Sequence, residues 1–263
     1  MENRQILEEM IRVARGCGEI ILSAGEGAVD AEQKTSFRDL VTAYDRRVQE
    51  YAVTALAAAF PGAAFICEEG DAAPKADAGA LTFVIDPIDG TMNFVHHFRH
   101  SCTSIACVSG GETVAGVVIN PYSGELFSAA RGEGASLNGR RLKIAPCALS
   151  ETIVLFGTAP YNPELTDATF SRVRALFGQC QDVRRCGAAA LDLCYVAAGR
   201  AGLYFEEIVS FWDYAAGALI VEEAGGACTR LDGAPLPCRG DQKTSIAAGV
   251  PALVKGLTAM KLP

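Results

Sequence analysis

Asp86 and Asp89 stand three residues apart in the segment Val84-Ile85-Asp86-Pro87-Ile88-Asp89-Gly90-Thr91-Met92-Asn93-Phe94. An apolar run over residues 81–85 reads as a buried strand that ends in this pair. Pro87 keeps Asp86 out of the α region and removes one backbone donor. Gly90 permits a sharp turn, which can aim both carboxylates and the Ile88 carbonyl at one point. Carboxylates held that close repel unless one is protonated or a cation lies between them. A hard divalent ion with oxygen ligands is the natural solution; a plain turn is the competing reading.

Other acids stand where they could join the pair. Glu68 and Glu69 follow a short apolar run at residues 65–66, Asp213 follows the single tryptophan, Trp212, and Asp45 lies three residues after Thr42. Each has an ordinary alternative. Asp213 can complement a helix dipole, Asp45 can complete a capping box with Thr42, and Glu69 is expected to be solvated. His96, His97 and His100 could bind a transition metal, but oxygen ligands dominate the motif and suit magnesium better. These histidines are expected at an entrance or a subunit contact. Arg184 and Arg185 could meet phosphate or pair with surface acids. The ten cysteines include no CxxC pair, so they read as small core hydrophobes in a reducing compartment rather than as a zinc site.

The elements that must position these groups follow from periodicity. Ile6, Met10, Val13, Cys17, Ile20 and Ile21 recur at helical spacing and predict an opening amphipathic helix. Thr42 predicts the cap of a second helix, stopped by Pro61-Gly62. Residues 72–79 read as a loop of small residues. Strand-like runs at 104–108, 114–119 and 125–130, with Gly110-Gly111 and Asn138-Gly139 turns, predict an antiparallel meander. Beyond Pro146, helices at 163–177, 188–198 and 212–224 alternate with strands at 182–184, 203–205 and 245–249. The expected architecture is α+β in residues 1–145 and α/β in 146–263, a layered arrangement of helices and sheets.

Half of the 263 residues are hydrophobic and 21% are charged, which supports a substantial core. The net charge of −8 disfavours general nucleic-acid binding, yet bound cations can invert the field locally for an anionic substrate. No run of eighteen apolar residues predicts a membrane span. The polar start, Met1 to Gln5, carries no leader-like pattern, and a cytoplasmic location is expected.

In these motifs the sequence resembles the inositol monophosphatase family, whose members are magnesium-dependent and lithium-sensitive. Asp86 to Phe94 is similar to the family pattern D-P-[IL]-D-G-T-x-N-F. Trp212-Asp213-Tyr214-Ala215-Ala216-Gly217 with Glu222 to Gly226 is similar to its W-D-x-A-A-G…E-A-G-G signature. Lys34, Asp39 to Asp45, Glu68-Glu69 and Arg184 to Asp192 match in order and spacing. The resemblance implies an αβαβα sugar-phosphatase fold, a homodimer and direct attack of metal-activated water on a small polyol or sugar phosphate such as inositol-1-phosphate. It implies one Mg2+ on Glu68, Asp86 and the Ile88 carbonyl, a second on Asp86, Asp89 and Asp213, and a weaker third near Glu68. Asp45 and Thr91 would orient or deprotonate the water, and Gly90 and Thr91 amides would receive phosphate oxygens. Gly187, Ala188, Ala189 and Glu206 would form the substrate wall, with Asp89 also near a hydroxyl, and Lys34 would lie on a loop near the metals. Met92, Ala188 and Tyr44 depart from common family residues and bear on substrate preference. The alternatives are a 3′-phosphoadenosine nucleotidase or a fructose-1,6-bisphosphatase of the same superfold, a phosphoaspartyl mechanism, and a regulatory protein contacting the transcription machinery.

Overall fold

The structure, a computed structural model, describes residues 2–25, 27, 29–34, 36–38, 40–70, 80–240 and 242–260. Asp39 and the loop expected at 72–79 lie outside the described residues. The opening helix, α1 (Asn3–Leu22), buries Ile6, Met10, Val13, Cys17 and Ile21 along one face, as its spacing requires. A short antiparallel pair, β1 (Ala31–Gln33) and β2 (Leu40–Thr42), leads into α2 (Ala43–Ala59). Thr42 caps α2 in a reciprocal box. Its hydroxyl accepts from the Tyr44 amide at 3.1 Å, and its own amide donates to Asp45 Oδ2 at 2.8 Å.

The expected meander is part of a seven-stranded sheet, ordered β3 (Ala64–Cys67), β4 (Thr82–Asp89), β5 (Cys102–Ser109), β6 (Glu112–Asn120), β7 (Glu125–Ala130), β8 (Gly134–Leu137) and β9 (Arg140–Arg141). Between β4 and β5 lies a five-residue helix, α3 (Thr91–Val95). One expectation is corrected here. The strand does not stop before Asp86 but runs through Pro87 to Asp89. Asp86 pairs with Ser104 and Asp89 with Cys102, with a register irregularity between them. A bulge accommodates Pro87, which cannot donate to a ladder, and the turn comes at Gly90, as its lack of a side chain suggests, at φ +88°.

A second, five-stranded sheet is ordered β11-β10-β12-β14-β13, from β10 (Ile153–Phe156), β11 (Asp182–Arg184), β12 (Leu203–Val209), β13 (Ala227–Thr229) and β14 (Thr244–Gly249). Its helices are α4 (Thr166–Phe177), α5 (Ala189–Ala197), α6 (Phe211–Glu223) and α7 (Pro251–Thr258). The layers follow from which faces are apolar. Helices α1 and α2 cover one face of the large sheet, with Met10, Leu56, Phe83 and Ile105 in their shared core. Helices α5 and α6 are apolar on nearly every side and fill the space between the two sheets, where Val84, Phe127, Leu219, Tyr204 and Ile246 meet. Helices α4 and α7 close the outer face of the small sheet over Val154, Phe205 and Ala247. The result is α/β/α/β/α layering.

Candidate active site

The edges of these layers meet around a cavity of about 380 Å³. Its lining includes Lys34, Glu68, Asp86, Ile88, Asp89, Gly90, Thr91, Gly187, Ala188, Ala189, Glu206 and Asp213. These come from the end of β3, the bulged end of β4, the loop before α5, strand β12 and the first turn of α6. Asp45 adjoins this wall from the first turn of α2: the Thr91 hydroxyl donates to Asp45 Oδ1 at 3.3 Å or to the Ile88 carbonyl at 3.1 Å.

Backbone donors aim the acids. The Ala189 and Ala190 amides donate to Asp89 Oδ1 and Oδ2 at 3.2 and 2.7 Å. The Ser210 amide donates to Asp213 Oδ2 at 2.6 Å. The capping roles anticipated for Asp45 and Asp213 therefore hold, and they coexist with the cavity roles. Each cap engages Oδ2 and leaves Oδ1 for other partners.

Asp86 is different. It is 2% exposed, and its Oδ1 is buried with no hydrogen-bond partner. Burial, then the charges of Glu68, Asp89 and Asp213, push its carboxyl well above the usual range. Burial also lifts Asp89 to about 7, opposed by the Ala190 amide and reinforced by Glu68. Asp213 is raised well above its ordinary value by burial and by Asp89. Burial raises Asp45 to about 6 against the stabilising Thr42 hydroxyl. Asp86, Asp89 and Asp213, each disfavoured by neighbouring acids that include Glu68, with an orphaned buried oxygen among them, form together with Glu68 a hard-oxygen set that fits divalent cations.

The other expectations sort as follows. Glu69 is not solvated: its side chain is 10% exposed and salt-bridged to Lys34, whose ammonium also donates to Glu68 Oε1 at 3.1 Å. Glu206 is half-buried in the wall, where Oε1 accepts from the Ala159 amide at 2.9 Å and Oε2 from the Tyr204 hydroxyl at 2.6 Å. Gly157 makes room for it, since a Cβ there would lie 1.9 Å from Glu206 Oε2. Arg185 faces the cavity, whereas Arg184 pairs with Asp182 at the surface. His96 and His97 are exposed, but His100 turns inward and buries Nε2. Met92 lines the cavity, and Tyr44 packs edge-on against Phe94 at 5.6 Å. Sequence reasoning missed Arg38, Lys243, Ser210 and the 159–162 loop, which also line the cavity. None belongs to a chemically distinctive spacing; only the fold brings them there.

A family model described as the inositol monophosphatase family matches residues 2–260. The chain belongs to the inositol monophosphatase family. Among curated relatives, the Nus factor SuhB of Pseudomonas aeruginosa is 40% identical over 234 residues, covering 87% of this chain and 86% of its own. Among solved structures, the extragenic suppressor protein suhB of Bartonella henselae is 34% identical, covers 97% of both chains and has a TM-score of 0.89. The inositol monophosphatase of Anabaena (Nostoc) sp. PCC 7120 is 29% identical, with 99% of this chain and 97% of its own covered and a TM-score of 0.85. Both solved structures share the layered fold described above.

Proposed function

We propose that this chain is a magnesium-dependent phosphomonoesterase acting on inositol-1-phosphate or a closely related polyol or sugar phosphate. The observation that carries the reading is the orphaned, buried Asp86 Oδ1 amid three further acids, beside the Thr91–Asp45 pair. Family membership supports the same class of chemistry.

In this reading Glu68, Asp86, the Ile88 carbonyl, Asp89 and Asp213 hold two ions, with a third site near Glu68. When bound, Mg2+ supplies charge neutralisation for the phosphoryl group and acidifies the attacking water. The chain's own residues do the positioning. Thr91 Oγ1, donating to Asp45, leaves its lone pairs to accept from the water and hold it in line. Asp45, raised to about 6, takes up a proton near neutral pH more readily than an ordinary aspartate. Gly90 and Thr91 receive phosphate oxygens. The wall of Gly187, Ala188, Ala189 and Glu206 meets the organic part, where a half-buried carboxylate with spare lone pairs accepts from hydroxyls. Lys34, Arg38, Arg185 and Lys243 offset the net negative charge at the entrance.

The test is phosphate release from inositol-1-phosphate, fructose-1,6-bisphosphate, histidinol phosphate and adenosine 3′,5′-bisphosphate, with and without chelator. Chelator-sensitive turnover with inositol phosphate preferred is expected. Preference for the nucleotide by orders of magnitude would replace the substrate assignment, and chelator-insensitive turnover would remove the mechanism. A second reading, a part in transcription, is supported by the relatives named Nus factor SuhB. Binding of the purified chain to the purified transcription machinery, retained in Asp86→Asn, would support it.

A further inference from the structure

Outside the acid cluster, three residues of different chemistry converge: His100 just before β5, Cys186 in the loop after β11, and Asp192 in α5. One ligand atom of each lies within 4.8 Å of the others. Two of the three carry unanswered polar atoms. His100 Nε2 and Asp192 Oδ1 are both buried without a hydrogen-bond partner, and Asp192 is 1% exposed. An unpartnered buried carboxylate oxygen is costly; the Cys186 thiol hydrogen-bonds the Asp192 carboxyl but leaves Oδ1 and the His100 Nε2 unanswered, and a metal ion among the three would answer both. The backbone segments that carry His100 and Cys186 are bonded to one side chain. Asn93 Nδ2 donates to the carbonyls of His100 at 2.7 Å and Cys186 at 2.9 Å, tying the two segments together.

We propose that His100, Cys186 and Asp192 form a second metal site, separate from the magnesium ligands, for a thiophilic divalent ion of the zinc or cobalt type. The donor set decides the class. One imidazole nitrogen, one thiolate and one carboxylate suit Zn2+ and Co2+ and are a poor match to Mg2+. Tetrahedral ligands at about 2.0–2.3 Å from zinc lie about 3.3–3.8 Å apart, so side-chain adjustment of about 1 Å closes the cluster. Binding replaces the thiol S–H bond with a metal–sulfur bond and releases one proton to solvent. Burial keeps the His100 imidazole below its ordinary pKa, and therefore neutral, which is the ligating form.

The site adjoins the substrate wall. A Cβ on Gly90 would sit 3.1 Å from both the His100 and Gly187 carbonyls, and α5 also presents the amides that hold Asp89. An ion at His100, Cys186 and Asp192 would fasten the turn, the wall and α5 to one another.

The experiment is a Co2+ titration of the full chain in excess Mg2+, read by the near-ultraviolet sulfur-to-cobalt absorption that only thiolate ligation produces. One equivalent is expected, with the band lost on adding Zn2+. Cys186→Ser should abolish the band, and His100→Gln should keep the thiol but weaken Co2+ binding at least about tenfold. Asp86→Asn should leave the band intact. Absence of the band in the natural sequence, its persistence in Cys186→Ser, unchanged affinity in His100→Gln, or its loss in Asp86→Asn would each overturn the proposal.

Discussion

At Asp86 two demands oppose each other. The folded chain buries the carboxylate, and its neighbours disfavour its charge. Asp86→Asn removes both the repulsion and the ligand. It should lower magnesium-dependent turnover by more than the roughly 10–100-fold that loss of an outer partner costs, while the chelated protein unfolds at an equal or higher temperature. Near-natural turnover in phosphate-release assays would contradict the ligand assignment. The same electrostatics set a pH dependence. Asp89 titrates near 7 when folded against an ordinary value of 3.8, and Asp45 near 6. Between those values the folded state binds more protons than the unfolded one, so stability of the chelated protein falls as pH rises from about 4 to about 7. A bound cation cancels that loss. The rise in Tm on adding Mg2+ should therefore be larger at about pH 8 than at about pH 5. Each kcal/mol moves Tm by about 2–4 °C in a chain of this size, so a difference is readable by calorimetry. Thr91→Ala removes the hydroxyl that links Asp45 to the cavity and should reduce kcat on the order of 10²-fold or more. Thr91→Ser, which keeps the oxygen, should recover most of it.

At the scale of elements, the joint between β4 and α3 depends on its glycine. Gly90 has φ +88°, and its Cα faces the His100 and Gly187 carbonyls. Gly90→Ala should cost about 1–3 kcal/mol, since left-handed backbone is unfavourable by about 1–2 kcal/mol for an L-residue and the added methyl is crowded. Urea unfolding measures this, and an unchanged midpoint would count against the geometry. The sequence made parts of this joint readable. The D-P-x-D-G order named the acids and the need for a glycine, and the Thr42–Asp45 spacing named a cap that the hydrogen bonds bear out. The continuation of β4 past Pro87 was not readable, because a bulge is decided by cross-strand pairing with β5 rather than by the residue itself. Strand β10 (Ile153–Phe156) goes unread in the sequence, since it depends on β11 and β12, which follow it in the chain, for its partners. Glu69 looked solvated because nothing local in the sequence brings Lys34 to it across 35 positions.

At the scale of the molecule, the site exists only because the layers are in register. Asp86 and Asp89 belong to the large sheet and Glu68 follows directly on its strand β3, whereas Asp213 rides on α6 in the middle layer. What fixes the distance between them is the approach of α6 to the sheet, and one close point of that approach is Gly116 on β6. A Cβ there would lie 3.0 Å from both the Cα and the carbonyl oxygen of Ala216, three residues beyond Asp213. The contact sets the gap between layers without touching a proposed ligand. Gly116→Val inserts three carbon atoms into that gap. It should destabilise the fold by about 1–3 kcal/mol, as overpacking does, and it should push α6 outward and carry Asp213 away from Asp86 and Asp89. A displacement of a few tenths of an ångström is enough to loosen a preorganised oxygen cage. The Mg2+ concentration for half-maximal phosphate release should then rise, on the order of tenfold, with saturating Mg2+ recovering part of kcat. A variant that loses stability but keeps the natural Mg2+ dependence would show that Asp213 is positioned by its own cap at Ser210 and not by the packing of the layers.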